Sequence, residues 1–475
     1  LADLDACLRD EGATCPLFMM TSGGGLTTVA TARQHPIRLV ESGPAGGAIL
    51  AGHIAMECGL DKVLSYDMGG TTAKICLIDE GRPQTSRTFE VDRQYRFTKG
   101  SGLPLRIPVI EMVEIGAGGG SIARIDNLGR IQVGPESAGS EPGPACYGQG
   151  GTRATVTDAD VALGRISPEG FAGGSVALSP ELAEGALDET IAQKLNLDGP
   201  LSAFAVSEMV EENMSNAARV HAVEQGKELA ERTLIAFGGA APLHACRMAE
   251  KLGMERVIIP QGAGVGSAIG FLAAPVSYEV VRSRYTHLAA LEPEGLNKMF
   301  TEMHDEAHAI VVSGAPNARL EERRIAYMRY IGQGHEIVVE VPARALTKDD
   351  GPALRAAYDK AYADLFGRDI PSMEVEILTW ALSIATIQPT PPPQADVSDV
   401  GAAAASGERK LFDADLTDFV AAPVYQRADM SPGMTLQGPA LIAEAQTTTA
   451  VTSHFQAKVD AAGHIELSRK TGEAA

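Results

Sequence analysis

The octapeptide Asp67-Met-Gly-Gly-Thr-Thr-Ala-Lys74 decides the fold of this chain. Just before it, Lys62-Val-Leu-Ser-Tyr66 predicts a short buried strand, and within and after it Ala73 to Ile78 predicts a second one. Gly69 and Gly70 between them are typical of a tight hairpin turn. The sequence therefore predicts a β-hairpin whose turn carries an aspartate and two hydroxyls.

The tip of this hairpin has the groups that bind phosphate. Backbone N–H groups at Gly69 and Gly70 can converge on an anion, and the Thr71 and Thr72 hydroxyls can add donors. Asp67, at the end of the strand, can hold a metal-bound water or orient a nucleophile. The same octapeptide also fits a glycine hairpin in which Asp67 only accepts backbone hydrogen bonds, so both interpretations stay open.

Two further glycine turns lie on either side of the hairpin in the sequence. Ser42-Gly-Pro-Ala-Gly-Gly47 opens a helix of small residues that Gly59 ends. Phe237-Gly-Gly-Ala-Ala-Pro-Leu-His244 joins the strand 233–237 to a helix over 242–252, which another strand follows at 256–259. A strand, turn, helix and strand in this order predict an α/β protein.

Glycine is also dense between residues 116 and 151. Such a stretch is either a linker or a set of ordered loops lined by backbone. Ile, Tyr and Cys recur within it, and a predicted strand over 121–125 interrupts it. We therefore favour ordered binding loops.

The composition excludes several classes of protein. The 475 residues are 45% hydrophobic, which is enough for several buried cores. The 61 acidic residues outnumber the 40 basic ones, and no Lys/Arg-rich run occurs, so a nucleic-acid or anionic-membrane binder is not expected. Pro260 and several glycines interrupt the longest apolar stretch, so no membrane span is predicted either.

The six cysteines are scattered without a C-x-x-C pair. A chain of this length needs no disulfide framework, so we expect a reducing cytoplasm and mostly buried thiols. Cys146 has no base partner that the sequence can identify. His53, His221 and His335 form no zinc spacing with a cysteine pair, and no structural metal is predicted.

The character of the sequence changes twice after Pro275. Residues 276–388 combine helical and alternating strand patterns and predict an α+β region. Residues 389–409 are rich in proline and alanine and predict a linker. Residues 410–475 predict a small C-terminal β-rich module, which leaves 1–275 as the α/β domain.

The order of the three glycine turns resembles the nucleotide-binding half of the actin-like ATPases, with a connecting helix, a second phosphate loop and an adenosine loop. The set of longer motifs is more specific, and it resembles the hydantoinase A / 5-oxoprolinase family. The resemblance extends from about Pro16 to the C-terminus. Its motifs are Gly116-Ala-Gly-Gly-Gly-Ser-Ile122, Gly143-Pro-Ala-Cys-Tyr-Gly148, Thr155-Val-Thr-Asp-Ala-Asp160, Phe237 to Ala245, Arg329 to Gln333 and Gly438 to Ile442.

This resemblance implies an actin-like, ribonuclease-H-like ATPase domain over 1–275 that lacks its N-terminal half. It implies ATP and Mg2+ as cofactors and a small cyclic amide as substrate, such as a hydantoin, an N-methylhydantoin or 5-oxoproline. The amide oxygen would be phosphorylated before water attacks. A separate B-type subunit is the implied partner, which makes the protein a hetero-oligomer.

Two other functions stay open. Related members of the family serve as ATP-hydrolysing subunits of ketone carboxylases of the acetone and acetophenone type. A non-catalytic scaffold that keeps the fold and the partner surface is the third hypothesis.

The resemblance also assigns site residues. Asp67 becomes the catalytic and magnesium-binding residue, and Gly69, Gly70, Thr71, Thr72 and Lys74 surround the phosphates. The loop Gly118, Gly119, Gly120 and Ser121 closes over phosphate or substrate, while Gly238 and Gly239 approach the adenosine. His244 either lines the adenosine or substrate pocket or is a packed, hydrogen-bonded histidine.

This sequence departs from the family pattern at two points. The family's first phosphate loop, of the Asp-x-Gly-Gly-Thr type, is expected upstream of Leu1, so these residues would form only part of an ATP cleft. Lys74 stands where many relatives place an aspartate. It either brings a cation to the phosphates or is a solvated edge residue.

For the carboxylates outside the hairpin we expect structural roles and not catalytic ones. Asp158 and Asp160 precede or begin a helix, and helix capping is expected for at least one of them. Glu111 and Glu114 come before the glycine loop, and we expect them to be solvated strand residues rather than metal ligands.

Overall fold

The structure is a computed structural model, and it describes residues 1–91, 100–389, 391–392 and 394–470. Residues 390 and 393 of the predicted linker and the last five residues of the predicted C-terminal module lie outside this range. Within it the α-helices are α1 (Ala2–Asp10), α2 (Val29–Gln34), α3 (Ser42–Glu57), α4 (Val156–Ala162), α5 (Pro180–Leu187), α6 (Gln193–Leu195), α7 (Gly199–Glu224), α8 (Ala241–Leu252), α9 (Gly266–Ala273), α10 (Pro293–Gly314) and α11 (Asp350–Phe366).

The strands cover the whole length of the described chain. They are β1 (Phe18–Met20), β2 (Leu26–Thr28), β3 (Lys62–Met68), β4 (Ala73–Asp79), β5 (Arg82–Pro83), β6 (Thr85–Val91), β7 (Leu103–Ile110), β8 (Val113–Ile115), β9 (Ser121–Ile125), β10 (Ile131–Ser137), β11 (Thr233–Phe237), β12 (Arg256–Ile259), β13 (Ser277–His287), β14 (Leu320–Tyr330), β15 (Ile337–Val341), β16 (Val375–Thr386), β17 (Gly401–Ala402), β18 (Gly407–Asp413), β19 (Asp418–Gln426), β20 (Met434–Gln437), β21 (Ala440–Ala443), β22 (Thr448–Val451), β23 (Phe455–Val459) and β24 (Ile465–Arg469).

The chain forms two compact units. The first unit consists of Leu1–Ser42, Thr88–Pro108 and Ala274–Pro389. The second unit consists of Gly43–Arg87, Val109–Ala273 and Thr390–Ala475, of which the described residues are considered below. Both units are therefore discontinuous in sequence.

The first unit is built on a four-stranded antiparallel sheet in the order β13-β16-β14-β15. Helix α10 packs on β13 and β16, and α11 packs on β15. Trp380 of β16 is fully buried and meets the ring of Phe300 of α10 edge to face, with 5.7 Å between ring centres. This packing agrees with the α+β character predicted for residues 276–388.

The second unit is built on a ten-stranded mixed sheet in the order β17-β20-β23-β24-β12-β11-β3-β4-β5, with β8 paired to β4. Its centre is the fully buried strand β11, which pairs in parallel with β12 on one side and β3 on the other. A strand buried on both faces reads as a continuous apolar run, which is why Thr233–Phe237 was recognisable in the sequence. The bounds predicted for β11 and β12 are confirmed.

The C-terminal residues are rich in strands, as predicted, and some of these strands also extend the central sheet. Strand β24 pairs with β12, so part of the β-rich module continues that sheet. Gly401 and Ala402 of the predicted linker form β17, which pairs with β20. The local sequence pattern predicts a strand but not its pairing partner. These pairings were not predicted because they join segments that are far apart in the sequence.

Helix ends follow local rules that the sequence shows clearly. Pro242 lies in the first turn of α8, and Gly253 ends the helix with φ +70. Helix α7 begins at Gly199, because the Asp198 side chain accepts from the Leu201 N–H and caps the helix.

Within the described residues no helix is both long and apolar enough to cross a membrane. All six cysteines are free thiols. The expected burial holds for Cys76, Cys146 and Cys246, whereas Cys58 is half-buried, and Cys7 and Cys15 are exposed.

We predict that Phe300→Ala lowers the free energy of unfolding of the first unit by about 3 to 5 kcal/mol, because it leaves a cavity against Trp380. Urea denaturation followed by Trp380 fluorescence measures this, since Trp380 is the single tryptophan. Val338→Ala, at an exposed position of β15, is the control and should stay within about 0.5 kcal/mol. Equal urea midpoints for the two variants would contradict the packing described.

Candidate functional site

The Asp67 hairpin is formed as predicted, by antiparallel pairing of β3 with β4. Strand β3 extends two residues beyond the predicted Tyr66, so Asp67 lies in the strand and faces Lys74 across the ladder. The turn is closed by the Gly69 N–H, which donates to the Thr72 carbonyl at 3.1 Å.

The carboxylate of Asp67 is held by a hydrogen bond from Ser267. Ser267, near the start of α9, donates from Oγ to Asp67 Oδ2 at 2.8 Å. Burial raises the pKa of Asp67, while the Ser267 hydrogen bond and the Lys74 charge oppose that rise. Ser267 was not found from the sequence, because it lies 200 residues from Asp67.

The tip of the turn presents unused donors. Within the described part of the chain, the N–H groups of Gly70 and Thr71 have no backbone or side-chain acceptor. A methyl group added at Gly69 or Gly70 would meet no protein atom within 4 Å. The glycines are therefore not required by protein packing, and the space in front of them is open.

Lys74 lies at the base of this turn. Its Nζ donates to Thr72 Oγ1 at 2.7 Å and is 3.5 Å from the Glu114 carboxylate. Lys74 is thus hydrogen-bonded to Thr72 and paired with Glu114. Glu111 does not take part in this pair, and its carboxylate accepts from the Gln225 side chain at 2.8 Å.

The loop Gly118-Gly-Gly-Ser121 packs directly on the turn. Gly119 N–H donates to the Gly69 carbonyl at 3.0 Å, and Gly120 N–H donates to the Gly70 carbonyl at 2.6 Å. A methyl at Gly118 would lie 2.6 Å from the Thr71 nitrogen, so only glycine allows this approach.

The N–H groups of the same loop are engaged within the protein. The Gly118 N–H donates to Ser121 Oγ at 2.8 Å, and the Ser121 N–H returns to the Gly118 carbonyl at 3.0 Å. With the two bonds to the hairpin, all four N–H groups of the loop are occupied by protein acceptors. The loop therefore supports the Asp67 turn from behind, and Ser121 is fully buried.

The Gly238-Gly239 turn packs on the other side of Asp67. Gly238 has φ +97, and a methyl there would lie 2.4 Å from the Met68 carbonyl and 2.7 Å from Asp67 Oδ1. The Gly238 N–H donates to Ala263 at 2.8 Å. The two predicted nucleotide loops are thus in direct contact.

A C-terminal turn joins this cluster, and the sequence did not indicate it. Thr447 Oγ1 donates to the Gly239 carbonyl at 3.1 Å. A methyl group added at Gly264 would lie 2.4 Å from the Gln446 Cβ, so the two backbones pack closely here. The turn between β21 and β22 therefore fixes the position of the Gly238-Gly239 turn.

His244 does not line an open pocket. Its ring is fully buried, with Nδ1 2.9 Å from the Glu211 carboxylate and Nε2 3.2 Å from that of Asp160. Arg165 joins the same group at 3.0 Å from Asp160. Burial opposes protonation of the ring, yet the Asp160 and Glu211 charges outweigh it and raise the pKa of His244 to about 9. The packed alternative for His244 is the one observed.

Asp158 is a helix cap, as predicted. Its carboxylate accepts from the Thr155 N–H at 2.8 Å, and its backbone N–H donates to Thr155 Oγ1 at 3.3 Å. Asp158 Oδ1 also accepts from the Cys146 N–H at 2.7 Å. Burial and the Asp158 charge raise the pKa of the Cys146 thiol far above its usual range, so it is no nucleophile.

A cavity of about 40 Å³ lies elsewhere in the second unit. Its lining mixes charged residues such as Arg165, Arg247 and Glu250 with apolar ones such as Leu243 and Phe412, and none of the residues predicted for the ATP site lines it. A space of this size suits a few water molecules and not a nucleotide.

Because its pKa is raised, His244 stabilises the fold below the unfolded-state pKa of about 6.5, and this contribution is lost as pH rises through about 9. We predict that the unfolding free energy of the wild type falls by about 3 kcal/mol relative to His244→Gln over this range. Urea denaturation of both proteins at pH 6, 7.5 and 9 tests the difference. A constant difference would mean that the ring does not titrate.

The turns that follow β3 and β11 lie at a position typical of ligand sites. Phe237 at the end of β11 lies in register with Asp67 in β3, so the turns that follow these parallel strands meet at one sheet edge. Ligands of α/β sheets bind at the carboxyl ends of parallel strands. The α/β sheet with paired glycine turns at that edge is consistent with the actin-like ATPase type of fold.

The chain belongs to the hydantoinase/oxoprolinase family. The hydantoinase/oxoprolinase family model matches residues 1–280, and the model for the C-terminal domain of the same family matches residues 287–469.

Two of the relatives are named as subunits of enzymes. Caprolactamase subunit alpha of Pseudomonas jessenii is 32% identical over 98% of this chain and 66% of its own length. Acetone carboxylase beta subunit of Xanthobacter autotrophicus is 26% identical over 98% of this chain and 65% of its own length. The crystal structure of the ATP-dependent caprolactamase from P. jessenii matches with a TM-score of 0.82 and 30% identity over 98% of this chain and 67% of that one. The chain thus spans about two thirds of the length of these relatives.

Proposed function

We propose that this chain forms the phosphate-facing part of an ATP-dependent enzyme that opens a small cyclic amide. The observation that carries the proposal is the tip of the Asp67 hairpin. Among the described residues, Gly70 and Thr71 offer two adjacent N–H groups without protein acceptors, and a methyl group added at Gly70 would meet no described atom within 4 Å. Consecutive free amides in a turn form an anion-binding concavity.

The roles of the other residues follow from their contacts. Asp67, fixed by Ser267, is positioned to orient a water or an attacking oxygen. Lys74, tied to Thr72, places positive charge beside the phosphate turn, which supports the phosphate role over that of a solvated edge residue. The 118–121 loop and the turn at Gly238 and Gly239 act as supports of this turn.

Magnesium fits this site as an ion held through water. One Asp67 oxygen is taken by Ser267, and Lys74 neutralises Glu114, so Asp67 is the carboxylate that remains for it. Mg2+ usually keeps several waters and is held by one or two carboxylates together with substrate phosphates. When bound, it would neutralise charge on the phosphates.

The substrate class rests on the relatives. Caprolactamase and oxoprolinase are names of enzymes that act on cyclic amides. In the proposed reaction the amide oxygen attacks the γ-phosphorus of ATP and ADP leaves. Water then attacks the activated carbon, the ring C–N bond breaks, and phosphate is released. A B-type subunit as partner, and a cytoplasmic location in keeping with six free thiols, belong to the same proposal.

A second candidate is an ATP-hydrolysing subunit of a ketone carboxylase. It is favoured by the likeness to the acetone carboxylase beta subunit. Both reactions need the same phosphate turn, so the turn itself does not separate them.

Nucleotide binding tests the phosphate turn. We predict that Gly70→Ala leaves the urea midpoint unchanged, because the added methyl meets no protein atom, but weakens ATP binding at least about tenfold by obstructing the phosphate. Gly185→Ala, an equally open glycine in α5, is the matched control and should bind ATP normally. Calorimetry on the complete protein with its partner measures both. Equal affinity in the two variants would remove the turn from the binding site.

Turnover tests the reaction. In the complete enzyme, Asp67→Asn should lower substrate-dependent ATP turnover about 100-fold or more, whereas the exposed Asp61→Asn should not. ATP consumption should respond to hydantoin, 5-oxoproline or caprolactam if the enzyme opens cyclic amides. A response to acetone or acetophenone with bicarbonate instead would establish the carboxylase function. Binding of the B-type partner without any ATP binding would favour the scaffold.

A further inference from the structure

Three potential metal ligands meet in the second unit, outside the Asp67 site. Cys58 follows directly after α3, while Asp460 and His464 lie in the turn between β23 and β24. The Cys58 sulfur, a carboxylate oxygen of Asp460 and a ring nitrogen of His464 all lie within 4.8 Å of one another. These residues come from opposite ends of the chain, so no spacing in the sequence indicated a metal site here, and none was predicted.

The backbone holds these side chains in place without a metal. The Asp460 N–H donates to the His464 carbonyl at 2.9 Å, and the His464 N–H donates to Asp460 Oδ1 at 2.7 Å. Gly463 has φ +83, which completes this tight turn. The Cys58 N–H continues α3 by donating to Ile54 at 2.8 Å. The site is thus built on hydrogen-bonded elements and not on a free loop.

The His464 ring is held from one side by the backbone. Its Nδ1 accepts from the Gln261 backbone N–H at 3.1 Å, which leaves Nε2 to serve as the metal-binding nitrogen. Nε2 lies 3.4 Å from the carboxylate of Glu57, the residue before Cys58. Glu57 therefore adds a negative charge beside the three grouped ligands.

The charge around the cluster is complementary to a cation. Asp460 and Glu57 place two negative charges near the Cys58 sulfur. The nearby Arg256 is engaged with Glu466 at 2.7 Å. A divalent ion would offset this excess of negative charge and favour the thiolate.

We propose that Cys58, Asp460 and His464, with a water molecule as the fourth ligand, bind one zinc ion or a divalent ion of similar preference. Zinc takes cysteine sulfur, histidine nitrogen and carboxylate oxygen in a tetrahedron. A mixed set of one sulfur, one nitrogen and two oxygens suits it better than magnesium or calcium, which prefer oxygen alone.

The protons balance as follows. The Cys58 thiol releases one proton to solvent and binds as thiolate. The neutral His464 ring coordinates through Nε2, and its proton moves to Nδ1, which gives up the hydrogen bond from Gln261. One proton is released for each ion bound, and the ligand atoms draw together to about 2.0–2.3 Å from the metal.

Cobalt(II) is the probe, because it reports both the sulfur ligand and the geometry. Added to the full metal-free chain, one equivalent should give a thiolate-to-cobalt charge-transfer absorption and the intense visible bands of tetrahedral cobalt. Zinc should displace it and restore the colourless protein. Cys58→Ala should abolish the charge-transfer absorption, and His464→Gln should weaken cobalt binding at least about tenfold.

Cys15→Ala is the matched control, because Cys15 is an exposed cysteine outside the cluster, and it should keep the full absorption. Urea midpoints of the metal-free variants show that each one folds. If Cys58→Ala does not fold, Cys58→Ser and Asp460→Asn provide the same comparison. Absorption that persists without the Cys58 sulfur, or wild-type protein that binds neither cobalt nor zinc at micromolar concentration, would overturn the proposal.

Discussion

The parallel pairing of β11 with β3 is the constraint on which the rest of this structure depends. It places Phe237 opposite Asp67, so the turns that follow the two strands emerge side by side. Gly238 can then approach the Asp67 carboxylate and the Met68 carbonyl, which a larger residue would prevent. A shift of two residues in this register would separate the two turns and remove the site.

Support for the Asp67 turn comes from behind as well as from the side. The 118–121 loop occupies the carbonyls of Gly69 and Gly70, and its own N–H groups are all used within the protein. The protein itself therefore braces the turn, and among the described residues the donors at Gly70 and Thr71 have no protein acceptor. Preorganised donors of this kind bind a charged group without the cost of rearranging the backbone.

The sequence predicted the local structure around the site well. The hairpin, β9, β11, β12 and the end of α8 follow from apolar runs and from glycine and proline positions, which act over a few residues. It did not predict Ser267, Gln446 or Thr447 at the site, since each reaches it through a contact about 200 residues away in the chain. A single serine or threonine in a sequence has no pattern that identifies such a contact.

The same limit explains His244 and the C-terminal strands. The sequence left two roles for His244, and only the positions of Asp160 and Glu211 around its ring decide between them. Likewise, β24 was recognisable as part of a β-rich segment, but its partner β12 was not.

The pairing of β12 with β24 has a consequence for the synthesis of the protein, because β24 is translated much later than β12. Strand β12 leaves the ribosome long before β24, which lies about 200 residues further along and reaches it roughly 10 to 40 s later at ordinary rates of synthesis. Until then one side of an apolar strand, Val257 to Ile259, has no neighbour to cover its backbone groups. An uncovered edge of this kind pairs readily with other chains. The nascent protein thus passes through an aggregation-prone stage, and a chaperone that shields this edge during translation would benefit its yield.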